Sequence, residues 1–147
     1  MKIDGTVSRI SRIRDYANRI IIRELKEMGY TEIAPSHGDI ISVLIHRGEM
    51  TKTELANAIN RDRSTVTVLL KKLEKLDFIA TRVNEADSRS AIVYLTEKGI
   101  GMKKAFIEIS EKLYEIQYKN MNEDQINALK SGLEQLYRNF KTEVDDA

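Results

Sequence analysis

The sequence has no cysteine and only two histidines. Disulfides and thiol-based oxidation sensing are excluded outright, and so few soft ligands give no reason to expect a dedicated zinc or iron–sulfur site. No run approaches the roughly 18 uninterrupted apolar residues that cross a bilayer, and the opening MKIDGTVSRISRIRD lacks the apolar core of a signal peptide. The expected location is the cytoplasm, with no membrane partner. There is no glycine-rich phosphate loop, no Ser/His/Asp spacing that suggests a nucleophilic triad, and no plausible paired-carboxylate cleft. An enzyme is therefore not expected, and no cofactor is called for. Charge of one sign is missing too: 24 Lys and Arg against 23 Asp and Glu leave +1, so bulk basicity cannot argue for a nucleic-acid partner.

What is present is a chain of 147 residues, 41% apolar and 32% charged, which is globular in character. That length suits one domain, or a small module with helical arms that bury their apolar faces on a second subunit. Residues 1–50 carry 8 basic and 7 acidic groups, 51–90 carry 8 and 6, and 91–147 carry 8 and 10. The middle is the most basic part by a small margin, so DNA affinity has to come from where individual charges point.

Ile3, Val7, Ile10, Ala17, Ile20, Ile21, Leu25 and Met28 recur at helical steps and predict a long amphipathic helix ending near Gly29. Pro35 just outside, Ser36 as N-cap and Asp39 three residues on predict a second helix, with Gly48 as its stop. Thr51 with Glu54 opens a short helix whose buried side is Leu55, Ala56 and Ile59. Asn60 tolerates the left-handed turn that follows, and Asp62 caps the next helix. So short a turn makes the two helices cross steeply.

In that next helix Val66, Leu69, Leu70, Leu73 and Leu76 form the apolar face. Opposite lie Arg63, Ser64, Thr67, Val68, Lys71, Lys72 and Lys75, with Thr65 also read as exposed. Such a face suits a major groove: hydroxyls donate or accept at base edges, Val and Thr methyls touch a thymine methyl, and long basic chains reach phosphates. An ordinary solvated helix is the alternative, although Thr65, Thr67 and Val68 are poor choices for one. After Asp77 the period changes to two. Ile79, Thr81 and Val83, then Ala91 to Leu95, predict two strands. Between them NEADSRS carries Asp87 and Arg89 near its tip, which fits minor-groove insertion with Asp87 orienting the guanidinium, or a solvated loop ion pair.

The order helix-turn-helix, strand, Asp87-x-Arg89 loop, strand and Leu95-Thr96-x-x-Gly99 resembles the MarR family of winged-helix transcriptional regulators, and Pro35-Ser36-His37-Gly38-Asp39-Ile40 is similar to the start of that family's second helix. The resemblance implies one domain over 1–147: a winged helix-turn-helix in 32–95, and helical dimerisation parts in 1–30 and 96–143. The fold class is mainly α with a small β-wing. It also implies that Asp62 to Leu76 is the recognition helix, that Arg89 enters the minor groove and that Asp87 supports it. Arg61, Arg63, Ser64, Thr65, Thr67, Val68, Lys71, Lys72, Arg82, Asp87 and Arg89 form the expected DNA-binding set. The partners implied are double-stranded DNA, a second copy of the chain and, in many members, a small, frequently anionic aromatic effector. The sign of regulation implied is repression.

Beyond the wing, Met102, Ala105, Phe106, Ile109, Leu113 and Ile116 predict a helix of more than twenty residues from Thr96. Asn122 with Gln125 caps another, striped by Ile126, Leu129, Leu133, Leu136 and Phe140. With the first helix these stripes suit an intersubunit bundle, whose two-fold axis would set recognition helices about 34 Å apart over a pseudo-palindromic operator. His37 and His46 could ligate a metal with Glu49 or Asp39 only from different helical faces, so no metal is expected. The tyrosines could line an effector pocket, and core packing explains them equally well. A winged helix that contacts protein and not DNA is the alternative function.

Overall fold

Polar side chains start the helices of the helix-turn-helix, and one asparagine turns the chain between them. A computed structural model describes residues 3–147. Thr51 Oγ1 accepts the Glu54 N–H at 3.1 Å and donates to Glu54 Oε1 at 3.1 Å. Asn60 takes the left-handed conformation at φ 55°, where a short polar side chain is tolerated. Asp62 Oδ1 accepts the Thr65 N–H at 2.7 Å. These contacts bound α3 (Lys52–Ile59) and α4 (Arg63–Lys75) as the sequence leads one to expect.

Around them run α1 (Thr6–Glu27), α2 (Pro35–Arg47), β1 (Met50–Thr51), β2 (Ile79–Val83), β3 (Ala91–Leu95), α5 (Glu97–Ile100), α6 (Lys103–Gln117) and α7 (Glu123–Asp145). The architecture is mainly helical with a small wing, and among the described residues no helix is long and apolar enough to cross a membrane. The chain forms two compact units, the first ending at Ser110 and the second beginning at Glu111.

Several expectations are corrected. Ile3 lies outside α1 and is 88% exposed. Ser36 is not the cap of α2: the helix begins with Pro35 and its cap is Ala34, because proline's fixed φ and missing N–H suit the first helical position. The return bond comes from His37, whose Nδ1 accepts the Ala34 N–H at 3.1 Å. Asp39 turns instead to Arg14, 3.7 Å away. The sheet has three strands, not two, in the order β1-β3-β2 and antiparallel throughout. Two-residue β1, pairing Met50 with Val93 and Thr51 with Ile92, is too short to show a period of two. Of Ile79, Thr81 and Val83 only Ile79 is buried, since the strand then runs past the core into the wing. The helix expected from Thr96 is two helices. Met102 N–H bonds Gly99 O at 3.1 Å, a three-residue step that tightens the chain and sets Met102 wholly inside the core.

Leu25, Ile40, Ile41, Leu55, Val66, Leu73, Ile79, Val93 and Met102 are the fully buried side chains. Each of α1 to α4, β2 and β3 contributes at least one, so the inner face of α4 is clamped on several sides and its outer face is fixed in orientation. In the second unit Asn122 and Gln125 make the reciprocal capping box at 2.9 Å in both directions. No residue of α7 is buried.

Candidate nucleic-acid interface

The apolar spacing of α4 decides what it presents. Val66, Leu70 and Leu73 are buried, and Leu69 and Leu76 are half-buried. Arg63, Ser64, Val68, Lys71 and Lys72 are therefore turned outward and exposed. Thr65 and Thr67, expected to be exposed, are half-buried on the shoulder of that face. Asp62 also accepts the Ser64 hydroxyl at 2.8 Å. The Thr65 backbone bond, followed by the side-chain bonds, holds its carboxyl below the ordinary carboxylate range. The Thr67 hydroxyl donates to Arg63 O at 2.8 Å. Lys72 and Lys75 lie in the last turn, where cations favour the negative end of the helix dipole.

Arg61 sits in the turn, its guanidinium 3.4 Å from Ser36 Oγ at the start of α2. It lies near Asp39, whose carboxyl burial pushes up while Arg14 and then Arg61 pull it back. Arg82, on β2, is ion-paired with Glu49. Both arginines are thus placed beside protein acceptors and not among the groups on the outer face of α4.

Asp87 and Arg89 form the wing tip. Asp87 Oδ1 accepts the Arg89 N–H at 3.0 Å and its Nε–H at 3.4 Å, while the Arg89 side chain is 92% exposed. One carboxylate oxygen thereby fixes both the backbone and the start of the guanidinium. Two residues outside the expected set hold the base of this loop. Asn84 Nδ2 donates to Ser90 Oγ at 3.0 Å, and Asn84 Oδ1 accepts the Ala86 N–H at 3.1 Å. Their only signal in the sequence is an Asn that ends one strand and a Ser that precedes the next.

The Leu95-Thr96-x-x-Gly99 stretch ties this wing to α4. Thr96 Oγ1 accepts the Gly99 N–H at 3.1 Å and donates to Asp77 O at 2.6 Å. The Lys98 ammonium bonds Leu76 O at 2.8 Å and lies 4.5 Å from the Phe78 ring centre. The carbonyl end of α4 is thus held by the start of α5, a role for Lys98 that spacing alone does not reveal.

His37 and His46 are not brought together: His46 Nδ1 lies 2.8 Å from Ser42 O within its own helix. Among the described residues no group of His, Asp and Glu is placed to hold a metal ion. A groove of about 360 Å³ lies between the end of α2, β3 and the start of α6, lined by Leu44, Ile45, Tyr94, Leu95, Ile100 and Lys103. Its volume is in the range of small-ligand sites.

Residues 33–91 match the model of the MarR family. The HTH-type transcriptional regulator SarZ of Staphylococcus aureus is 32% identical over 103 residues, which is 69% of this chain and 64% of SarZ. The matched part thus spans just under two thirds of that relative's length. Among solved structures, a MarR protein from Peptoclostridium difficile superposes with a TM-score of 0.86 at 19% identity, covering 97% of this chain and 94% of the other. The S. aureus MepR–DNA complex gives 0.82 at 21% identity, covering 95% and 99%. At such identities the likeness to these two structures is one of fold.

Proposed function

The chain belongs to the MarR family of winged helix-turn-helix regulators, and we propose that it binds operator DNA as a homodimer and represses transcription there. The observation that carries this reading is the outer face of α4: Arg63, Ser64, Val68, Lys71 and Lys72 are exposed on a helix whose other face is locked in the core. Arg89 projects from the wing that the start of α5 joins to the same helix. In this reading α4 lies in the major groove, its lysines meet phosphates, and Arg89 enters the adjacent minor groove, where narrow width concentrates negative potential.

The second copy is called for by apolar surface. Val7, Ile13 and Tyr16 of α1 and Leu129, Leu133 and Phe140 of α7 are all exposed in one chain, more large apolar side chains than scattered surface positions explain. A two-fold axis would place the two α4 helices about one DNA turn apart, on a pseudo-palindromic site. A small effector acts, in this reading, by favouring a dimer geometry whose recognition helices no longer match the groove spacing.

The test is selection of bound fragments from the source genome, followed by fluorescence titration across salt. A palindromic sequence whose affinity falls steeply as salt rises supports the reading. Salt-insensitive binding, or no enriched fragment, overturns it.

A further inference from the structure

Ser64, Thr67 and Val68 stand at steps of three and four on α4, so their side chains are neighbours on one patch. Val68 is 68% exposed, an uncovered apolar group in the middle of an otherwise polar face. A hydroxyl can donate one hydrogen and accept at two lone pairs. Here both hydrogens are already engaged: Ser64 donates to Asp62 Oδ1 at 2.8 Å and Thr67 to Arg63 O at 2.8 Å. The Ser64 bond is to a carboxylate, which makes it the stronger kind, and Asp62 is simultaneously the cap of the helix. Turning either hydroxyl outward as a donor would break a bond that the helix already makes. What the patch offers a ligand is therefore two acceptors beside an apolar surface. Fixed donors stand only at its ends, on Arg63 and on Lys71 and Lys72.

In the major groove a G·C pair shows the guanine acceptors N7 and O6 and the cytosine N4 amino donor, but no methyl group. Adenine shows an N6 amino donor, and thymine adds a methyl on the same base pair. Acceptors flanking an aliphatic side chain match the second pattern. We propose that the centre of α4 reads an A·T base pair, the Ser64 or the Thr67 hydroxyl accepting the one adenine N6 hydrogen that base pairing leaves free and Val68 packing on the thymine methyl.

This inference rests on the DNA-binding reading above, and the experiment separates the two. The full chain is used to select duplexes from a random-sequence pool, and in the enriched duplex each thymine is replaced in turn by uracil and each adenine by purine, which lacks the N6 amino group. One A·T pair per half-site is expected to respond to both. Uracil there should weaken binding about fourfold, the effect of one buried methyl, and purine about tenfold, the effect of a lost partner to a buried acceptor. Val68→Ala should erase the uracil effect, and Ser64→Ala with Thr67→Val should erase the purine effect. Circular dichroism shows whether each variant is folded. An enriched half-site indifferent to both analogues, or penalties that persist in the folded variants, would overturn the inference while leaving DNA binding intact. If no sequence is enriched, the DNA-binding reading fails and this inference fails with it.

Discussion

The carbonyl oxygen of Phe78 occupies the space that a side chain at position 99 would need: a β-carbon on Gly99 would lie 2.1 Å from it. The same carbonyl accepts the Thr96 N–H at 3.1 Å, so the start of α5 is pressed against the link between α4 and β2. The obstacle is backbone, and no rotamer change relieves it. Gly99→Ala is therefore expected to cost about 1–3 kcal/mol or more, the range for overpacking a tight site. Urea unfolding reads this as a lower midpoint with unchanged slope. A variant with the wild-type midpoint would show that this junction yields easily and does not fix α4.

That junction also shows where sequence reading stops. Features made by neighbours in the chain were legible: the Thr51 cap, though without the reciprocal bond of a full box, the Asn122–Gln125 box, the left-handed Asn60, the Asp62 cap and the bounds of β2 and β3 all follow from local chemistry. The apolar spacing of α4 likewise foretold its outer face. What could not be read depends on partners distant in sequence. Strand β1 exists only because Met50 and Thr51 meet Val93 and Ile92. Arg82 looks like any wing cation until Glu49 is placed beside it. Lys98 is an ordinary surface lysine until Leu76 O and the Phe78 ring come within reach. The break before α6 is a three-residue backbone step, Met102 N–H to Gly99 O, which the apolar stripe running on from Met102 does not encode.

Arg89→Ala is expected to weaken operator binding by about 1–3 kcal/mol and to reduce the slope of log affinity against log salt by about one. Fold and association should be unchanged, because the side chain is 92% exposed. Asp87→Ala leaves Arg89 in place but removes the acceptor of its backbone N–H and an exposed ion-pair partner, the pair itself worth about 0–1 kcal/mol, and should cost less. Titrations at several salt concentrations make the comparison. Wild-type affinity in the Arg89 variant would remove the wing from the DNA interface.

Leu133→Glu should convert the proposed dimer to monomers. Leu133 is 44% exposed and Leu129 40% exposed within one chain, on a helix with no buried residue. A charge there barely perturbs the subunit but cannot be sheathed between two copies without desolvation. Sedimentation velocity should show half the wild-type mass at concentrations where the wild type is dimeric. Affinity for a full palindrome should fall towards that for a half-site. An undiminished dimer would place the subunit interface elsewhere than this stripe.

His37 gives the fold an acid-side limit. Its Nδ1 accepts the Ala34 N–H, which requires the neutral ring. Burial, and then the charge of Lys72, hold its pKa below the ordinary value, near 6.5 for imidazole. The unfolded chain therefore takes up this proton at a higher pH than the folded chain does. Stability from this group is complete above about pH 6.5 and declines as pH falls towards the folded value. Asp39, pushed up by burial, works in the opposite direction and cannot produce an acid-side loss. Asp62, held low by its capping bonds, titrates below the ordinary carboxylate range and outside this window. Thermal melts between about pH 7 and pH 5 should show a falling Tm, as expected when a buried neutral histidine must charge. His37→Gln keeps a side-chain acceptor for the Ala34 N–H at the same helical position but cannot titrate, and its Tm should stay flat across that interval. An identical decline in both proteins would trace the acid sensitivity to other groups.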